Sequence, residues 1–124
     1  DYIFVAGGVN DWQLGVSLDD FRTAVNNICE YLKYHTNKEV IFITPINNAS
    51  ISPIEKPVAE LDAYRDIIFE VATLHNCSVV NGKDFNFPNR NDNIELINYM
   101  YGDKLHPTEN GYKVYSRALR TALC

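Results

Sequence analysis

The sequence contains few of the residues that define specialised classes of protein. Its 124 residues include only 6 glycines, 5 prolines and 3 cysteines. These low counts exclude a collagen-like chain and a small scaffold held together by disulfides. The chain is 46% hydrophobic and 22% charged, which is more apolar than disordered proteins are. We therefore expect a folded globular domain, and the length suits a single one.

Positive charge is also scarce. The chain has 11 Lys and Arg residues against 16 Asp and Glu, which gives a formal net charge of −5, and it shows no basic cluster. Because a phosphate backbone would be repelled, we expect no nucleic-acid partner, and an anionic membrane surface is disfavoured for the same reason. No apolar run approaches the roughly 20 residues that a membrane span requires, so we expect no membrane span.

The first residues lack the features of a native N-terminus. Position 1 is not Met, and no basic residue precedes the opening apolar run Tyr2–Ala6, as one would in a secretory leader. The chain thus looks as if it begins within a domain. Its three cysteines, Cys29, Cys77 and Cys124, have no metal-type spacing and are expected as buried thiols rather than as a disulfide. The cellular compartment stays undecided.

Three apolar runs predict β-strands, at Tyr2–Ala6, Val40–Thr44 and Cys77–Val80. Helical periodicity follows Ser17, Pro57 and Pro107, so strands and helices alternate along the chain. This alternation predicts an α/β fold with a parallel sheet and crossover helices. We expect the first strand to be buried on both faces. Since a sheet usually has about five or six strands, we also expect strands N-terminal to the first one to be missing from this chain.

The segment after the first strand reads Gly7-Gly8-Val9-Asn10-Asp11-Trp12. In parallel sheets, ligands bind where strands end, and two glycines let the backbone turn tightly near a ligand. We expect a loop here, with Asn10 as an amide donor and Asp11 as an acceptor of backbone N–H groups. The alternative is ordinary turn chemistry. Trp12 could form a wall of the substrate site or pack in the core.

A second candidate site lies near the C-terminus, where Asp103-Lys104-Leu105-His106-Pro107 precedes the last helix. Pro107 favours an extended conformation at His106, so the imidazole can project from the loop. Asp103 could accept a hydrogen bond from Nδ1 of that ring, as the acid of a nucleophile–His–carboxylate triad does. Alternatively, Asp103 only caps the turn and His106 packs at the helix start.

Together, these two segments resemble the third and fifth sequence blocks of the SGNH hydrolases, also called GDSL-type esterases. The order of the blocks, their separation and the elements between them all match. The resemblance implies a three-layer α/β/α sandwich with a flavodoxin-like parallel sheet, here lacking its first strands. Residues 1–124 would be the C-terminal portion of a single SGNH-hydrolase domain.

The resemblance also implies a role for each matching residue. Asn10 corresponds to the oxyanion-hole asparagine, and Gly8 and Asp11 match the rest of that block, with Trp12 beside them at the substrate. His106 corresponds to the general base, and Asp103 to the acid that orients it. The reaction would be hydrolysis of an ester, on acylated carbohydrate or a small ester, with no metal or organic cofactor.

The sequence departs from the family because it lacks the Gly-Asp-Ser nucleophile block and the second-block glycine. Ser50 and Ser52 lie in the loop after the second strand but have no such context. We expect the serine upstream or on a separate chain, and the 124 residues alone to be inactive.

Three alternatives stay open. A non-catalytic α/β binding or assembly module could keep these motifs without the nucleophile. A flavodoxin- or receiver-like domain fits the topology but lacks the acidic cluster or phosphate-binding loop. A metal site at Asp11, Asp103 and His106 has no supporting His or Cys spacing.

Overall fold

The computed structural model describes residues 1–46, 58–84 and 106–123, without the side chains of 58 and 59. Its elements, in chain order, are β1 (Tyr2–Ala6), α1 (Val9–Leu14), α2 (Leu18–His35), β2 (Glu39–Ile43), α3 (Val58–Leu74), β3 (Ser78–Val80), a 3-10 turn (Gly82–Asp84) and α4 (Glu109–Leu123). They belong to two units, Asp1–Pro45 with Ala59–Val80, and Ile46–Val58 with Asn81–Cys124. Ser50, Ser52, Asp103 and Cys124 lie outside the described residues.

The first unit contains a parallel sheet of three strands in the order β1-β2-β3. Tyr2 pairs with Glu39 at one end of the β1–β2 ladder, and Ile43 pairs with Val80 at the end of the β2–β3 ladder. Because crossovers between parallel strands are right-handed, a sequential strand order puts α2 and α3 on the same face. The two helices do meet, through an Arg22–Glu70 ion pair of 2.9 Å. The predicted α/β fold with a parallel sheet is confirmed.

The central and edge strands differ in burial. The four apolar side chains of β2 are almost inaccessible, between 0% and 4% exposed, so both faces of this strand are covered. In β1, however, Tyr2 is 57% and Phe4 46% exposed. The expectation that the first strand is buried on both faces is wrong for the described structure: Tyr2, Phe4 and Ala6, which share one face, are exposed, and Ile3 and Val5 on the other face are half-buried. Because β1 is an edge strand of the described sheet, its side chains have strand neighbours on one side only.

Helices α2 and α3 form where the periodicity predicts them. Ser17 caps α2, because its Oγ accepts a hydrogen bond from the Asp20 backbone N–H at 3.1 Å. α3 buries most of its apolar positions, but Leu74 is 75% exposed, whereas Arg65 is only 2% exposed. The apolar period alone did not predict that a charged side chain belongs to the core face of α3.

Two of the three cysteines are described, and both Cys29 and Cys77 are free and buried, as the sequence predicted. Burial, together with the neighbouring Cys77 thiol, raises the pKa of Cys29 to about 12. Both side chains are small buried groups of the core.

In the second unit, α4 begins directly after Thr108. The hydroxyl oxygen of Thr108 accepts a hydrogen bond from the Gly111 N–H at 3.3 Å, and its carbonyl accepts one from the Tyr112 N–H at 2.9 Å. This is the geometry of an N-cap, and it agrees with the helix predicted after Pro107. None of the helices described is both long and apolar enough to cross a membrane.

Candidate active site

The segment after β1 is a short helix rather than the loop that the sequence predicted. Gly8, with φ 109°, precedes the first residue of α1, and Gly15, with φ 71°, follows the last. The Trp12 N–H donates to the Gly8 carbonyl at 3.0 Å. Both glycines occupy the left-handed region that other residues rarely adopt, so each end of this six-residue helix depends on a glycine.

Gly8 is also required by close packing. A Cβ atom at this position would lie 3.2 Å from Pro45 Cγ, 3.4 Å from Phe21 Cζ and 3.7 Å from Ile68 Cδ1. The backbone of Gly8 thus rests against side chains from α2, α3 and the end of β2. Gly7, by contrast, would meet nothing within 4 Å. Gly8, the first residue of the Gly-Val-Asn-Asp motif, is therefore required both by its backbone conformation and by the lack of space for a side chain.

Asn10 and Asp11 lie in the first turn of α1, at the carboxyl end of β1. Asn10 is exposed and Asp11 is half-buried. The carboxylate of Asp11 near the helix start is favourable for the helix dipole. The backbone carbonyl of Asp11 accepts a hydrogen bond from the Val16 N–H at 3.0 Å, which closes the far end of the helix. The Asn10 side chain is therefore accessible on a helix whose backbone is fixed.

Trp12 packs in the core. Its side chain is 1% exposed, which makes it one of the largest fully buried side chains in the described residues. Of the two roles open from the sequence, the structure shows the packing role. Trp12 anchors α1 to the core, and its predicted place in the wall of the substrate site stays a prediction.

Tyr64 of α3 holds the chain just beyond α1. Its hydroxyl donates a hydrogen bond to the Val16 carbonyl, and its ring packs on Phe21 with centroids 4.9 Å apart. Burial, and then the charges of Glu60 and Asp11, raise the pKa of the Tyr64 phenol. The protonated phenol is the form that donates this hydrogen bond.

Arg65, the next residue, contacts the end of β2. Its Nε donates to the Pro45 carbonyl at 2.8 Å, and its Nη1 donates to Asp62 Oδ1 at 2.9 Å. Burial lowers the pKa of this guanidinium, while the hydrogen bond and charge of Asp62 act in the opposite direction. Sequence reasoning missed Arg65. The only available signal was the position of Arg65 between apolar Tyr64 and Ile67 on the inner face of α3.

His106 belongs to the second unit and is exposed. It lies two residues before Thr108, the residue that caps α4, in the segment before the last helix where the sequence places it. Asp103, the predicted partner of His106, is outside the described residues. The proposed Asp103–His106 pair therefore stays a prediction.

Gly8, Asn10, Asp11 and Trp12 thus come together on one element of the first unit, while His106 belongs to the other unit. Within residues 1–46, 58–84 and 106–123, no three His, Cys, Asp or Glu side chains form a group that could hold a metal ion.

The family model of the GDSL-like lipase/acylhydrolases matches residues 1–114. The chain belongs to this family. The match spans both motif segments, including Asn10 and His106, and agrees with the resemblance to SGNH hydrolases. No curated protein sequence matches the chain.

Solved structures of low sequence identity share the fold. A protein from Lactobacillus plantarum superposes with a TM-score of 0.83 at 20% identity, over 99% of this chain and 66% of its own. A lipase/acylhydrolase from Enterococcus faecalis superposes with a TM-score of 0.74 at 23% identity, over 96% of this chain and 58% of its own. An acetylxylan esterase from Geobacillus stearothermophilus superposes with a TM-score of 0.69 at 18% identity, over 96% of this chain and 57% of its own. The chain thus spans 57% to 66% of the length of these three structures.

Proposed function

We propose that the full-length protein is a serine ester hydrolase of the SGNH type. In this proposal the Asn10 amide donates a hydrogen bond to the oxyanion that forms when the serine attacks the ester carbonyl. His106 takes the serine proton and passes it to the leaving alcohol, and Asp103 orients the imidazole. The products are a carboxylic acid and an alcohol.

The observation that carries the proposal is the placement of Asn10. A side-chain donor lowers the barrier only if it is fixed before the reaction where charge will develop. Asn10 is exposed at the carboxyl end of β1, on a helix that Gly8, Trp12 and Val16 hold to the core. This combination of access and fixed backbone is what an oxyanion-hole donor requires.

We place the nucleophilic serine outside this chain, upstream or on a separate chain. The Gly-Asp-Ser block is absent from the sequence, and related structures extend well beyond the part that this chain covers. A general base without a nucleophile can at best activate water. The 124 residues alone should therefore be inactive, with no metal or organic cofactor needed by the complete enzyme.

For the substrate, we propose a short acyl ester, either on carbohydrate or on a small alcohol. The sequence contains no long apolar segment of the kind that forms a lid over lipid substrates. The acetylxylan esterase among the structural neighbours shares the fold at 18% identity and is compatible with an acylated carbohydrate.

Two assays on the full-length protein test the reaction class. We expect turnover of p-nitrophenyl acetate and covalent labelling by a fluorophosphonate, with neither seen for the 124-residue chain. If the full-length protein shows no turnover and no label, the esterase proposal fails, and the non-catalytic binding or assembly module becomes the better account.

The role of Asn10 is tested by the Asn10→Ala variant of the full-length protein. Loss of one oxyanion donor should lower kcat by about two to three orders of magnitude. The matched control is Asn27→Ala on α2, an exposed Asn that should leave kcat unchanged. A rate for Asn10→Ala within a few-fold of wild type would rule out the oxyanion role.

A further inference from the structure

Arg65 makes a buried contact that the proposed catalytic roles do not use. Its side chain is 2% exposed, although a charged group is rarely fully buried unless it is paired. Its carboxylate partner Asp62 is 42% exposed, so this pair alone does not require Arg65 to enter the core. The deeper contact is the 2.8 Å hydrogen bond from Nε to the Pro45 carbonyl. It fixes Pro45, which lies two positions beyond the end of β2.

Pro45 in turn packs on the start of α1. Of the atoms around Gly8, Pro45 Cγ comes nearest to the Cβ position, at 3.2 Å. Gly8 is the N-cap of α1, and Asn10 is the second residue of that helix. A continuous series of contacts therefore runs from Arg65 through Pro45 and Gly8 to the proposed oxyanion donor.

The neighbouring residue of α3 holds the other end of the same helix. Tyr64 donates its hydrogen bond to the Val16 carbonyl, and the Val16 N–H donates to Asp11 within α1. Tyr64 thus contacts the chain directly after α1, and Arg65 contacts Pro45, which packs against the start of α1. Two anchors constrain the helix more than one, because a single contact would still allow it to pivot.

We propose that Arg65 is a positioning residue for Asn10, and that it sets the placement of α1 by holding Pro45 against Gly8. This inference rests on the proposed function, in which Asn10 stabilises the oxyanion. A donor must be held within about 0.5 Å of its productive position, and a displacement of about 1 Å can cost about 10²-fold in rate. Arg65 acts through Pro45 and Gly8 and does not touch the substrate.

The test compares Arg65→Met, Arg65→Lys and Arg22→Met in the full-length protein. Met keeps much of the length of the side chain but cannot donate, whereas Lys restores one charged donor. Arg22 is the matched control, since its ion pair with Glu70 joins α2 to α3 at the surface. Kinetics with p-nitrophenyl acetate are combined with ¹⁹F NMR of 5-fluorotryptophan, in which a Trp12→Phe spectrum assigns the Trp12 resonance.

For Arg65→Met, we expect kcat to fall about 10- to 100-fold, KM to change less than about three-fold, and the Trp12 resonance to shift or broaden. Arg65→Lys should recover part of both effects, and Arg22→Met should show neither. A purely structural role would lower the melting temperature without changing kcat or the Trp12 resonance of the folded protein, and that result would overturn the proposal.

Pro45→Ala keeps the test decisive if Arg65→Met does not fold. It removes the ring that contacts Gly8 and leaves the carbonyl that accepts from Arg65. The same kinetic and NMR changes are expected, and wild-type values for both would overturn the proposal. The Asn10→Ala variant separates the two hypotheses: if it keeps wild-type kcat, the proposed function fails. A Trp12 shift in Arg65→Met would still show that Arg65 places α1.

Discussion

The two segments that carry the proposed catalytic side chains are held very differently. The segment Gly8–Leu14 lies on the core of the first unit, with Gly8 and Trp12 buried. Tyr64 of α3 bonds to the chain after the helix, and Arg65 of α3 bonds to Pro45, which packs against Gly8. In the second unit, His106 is exposed, and the clearest local constraint is the Thr108 cap of α4.

This difference suits the two chemical tasks. An oxyanion donor stabilises charge only at a position fixed in advance, so buried anchors around Asn10 are useful. A general base must take a proton from one oxygen and give it to another, and an exposed imidazole before a capped helix has room for both. The comparison leads to four predictions, all made for the full-length protein.

The largest effect is expected for His106→Ala. Loss of the general base should lower kcat for p-nitrophenyl acetate by about three to four orders of magnitude. The matched control is His35→Ala at the end of α2, where the ring packs on Tyr31 at 4.1 Å. His35→Ala should keep wild-type kcat. Equal activity of His106→Ala and wild type would remove His106 from the mechanism.

A smaller effect is expected for Gly8→Ala, which breaks the anchored segment. An Ala residue at position 8 would have to adopt a φ near 109°, which is unfavourable for it, and its methyl group would crowd Pro45. We therefore expect the free energy of unfolding to fall by about 1–3 kcal/mol. The neighbouring Gly7→Ala has open space at its Cβ and should change stability by less than about 0.5 kcal/mol. Urea unfolding measures both, and equal values for the two variants would contradict the close packing at Gly8.

Thr108→Ala tests the constraint near His106. Loss of the cap should lower the free energy of unfolding by about 0.5–2 kcal/mol. Ser17→Ala, which removes the cap of α2, should cost a similar amount. We expect only Thr108→Ala to lower kcat as well, because the segment that precedes α4 carries His106. A similar loss of kcat in both variants would indicate a general effect of stability.

The smallest effect is expected for Tyr64→Phe, and it depends on pH. At neutral pH, loss of the hydrogen bond to Val16 should cost about 0.5–1.5 kcal/mol. Because the fold raises the pKa of Tyr64 above its ordinary 10.0, the wild type should lose stability as the pH rises from 10 through the raised value. The Tyr64→Phe variant should lose less stability over that range, so the difference in free energy of unfolding between wild type and variant should narrow. The control is Tyr34→Phe, at an 86% exposed site. If the stability difference between wild type and Tyr64→Phe did not change with pH, the raised pKa of Tyr64 would be contradicted.

Sequence reasoning predicted the elements whose signals are local. The apolar period that follows Ser17 lies within one helix, and it placed the start of α2 correctly. Arg65 was missed because its acceptor, the Pro45 carbonyl, is 20 residues away in sequence. The short helix α1 was also missed, since it depends on Gly8 conformation and Trp12 burial rather than on periodicity.

Burial of β1 could not be predicted from its composition. The run Tyr2–Ala6 shows that the strand is able to pack on both faces, but exposure depends on which elements flank it. Likewise, the role proposed for Asn10 came from the resemblance of two distant segments to one family. Packing within the first unit then explained why Asn10 can be both accessible and fixed.

The most direct test of the central claim is to locate the serine that a fluorophosphonate labels. The labelled full-length protein is digested, and the modified peptide is identified by mass spectrometry. We predict a single modified serine outside these 124 residues, with labelling slowed by His106→Ala. A label on a serine within the chain, such as Ser50 or Ser52, would contradict the account, as would a full-length protein that turns over ester without any labelled serine.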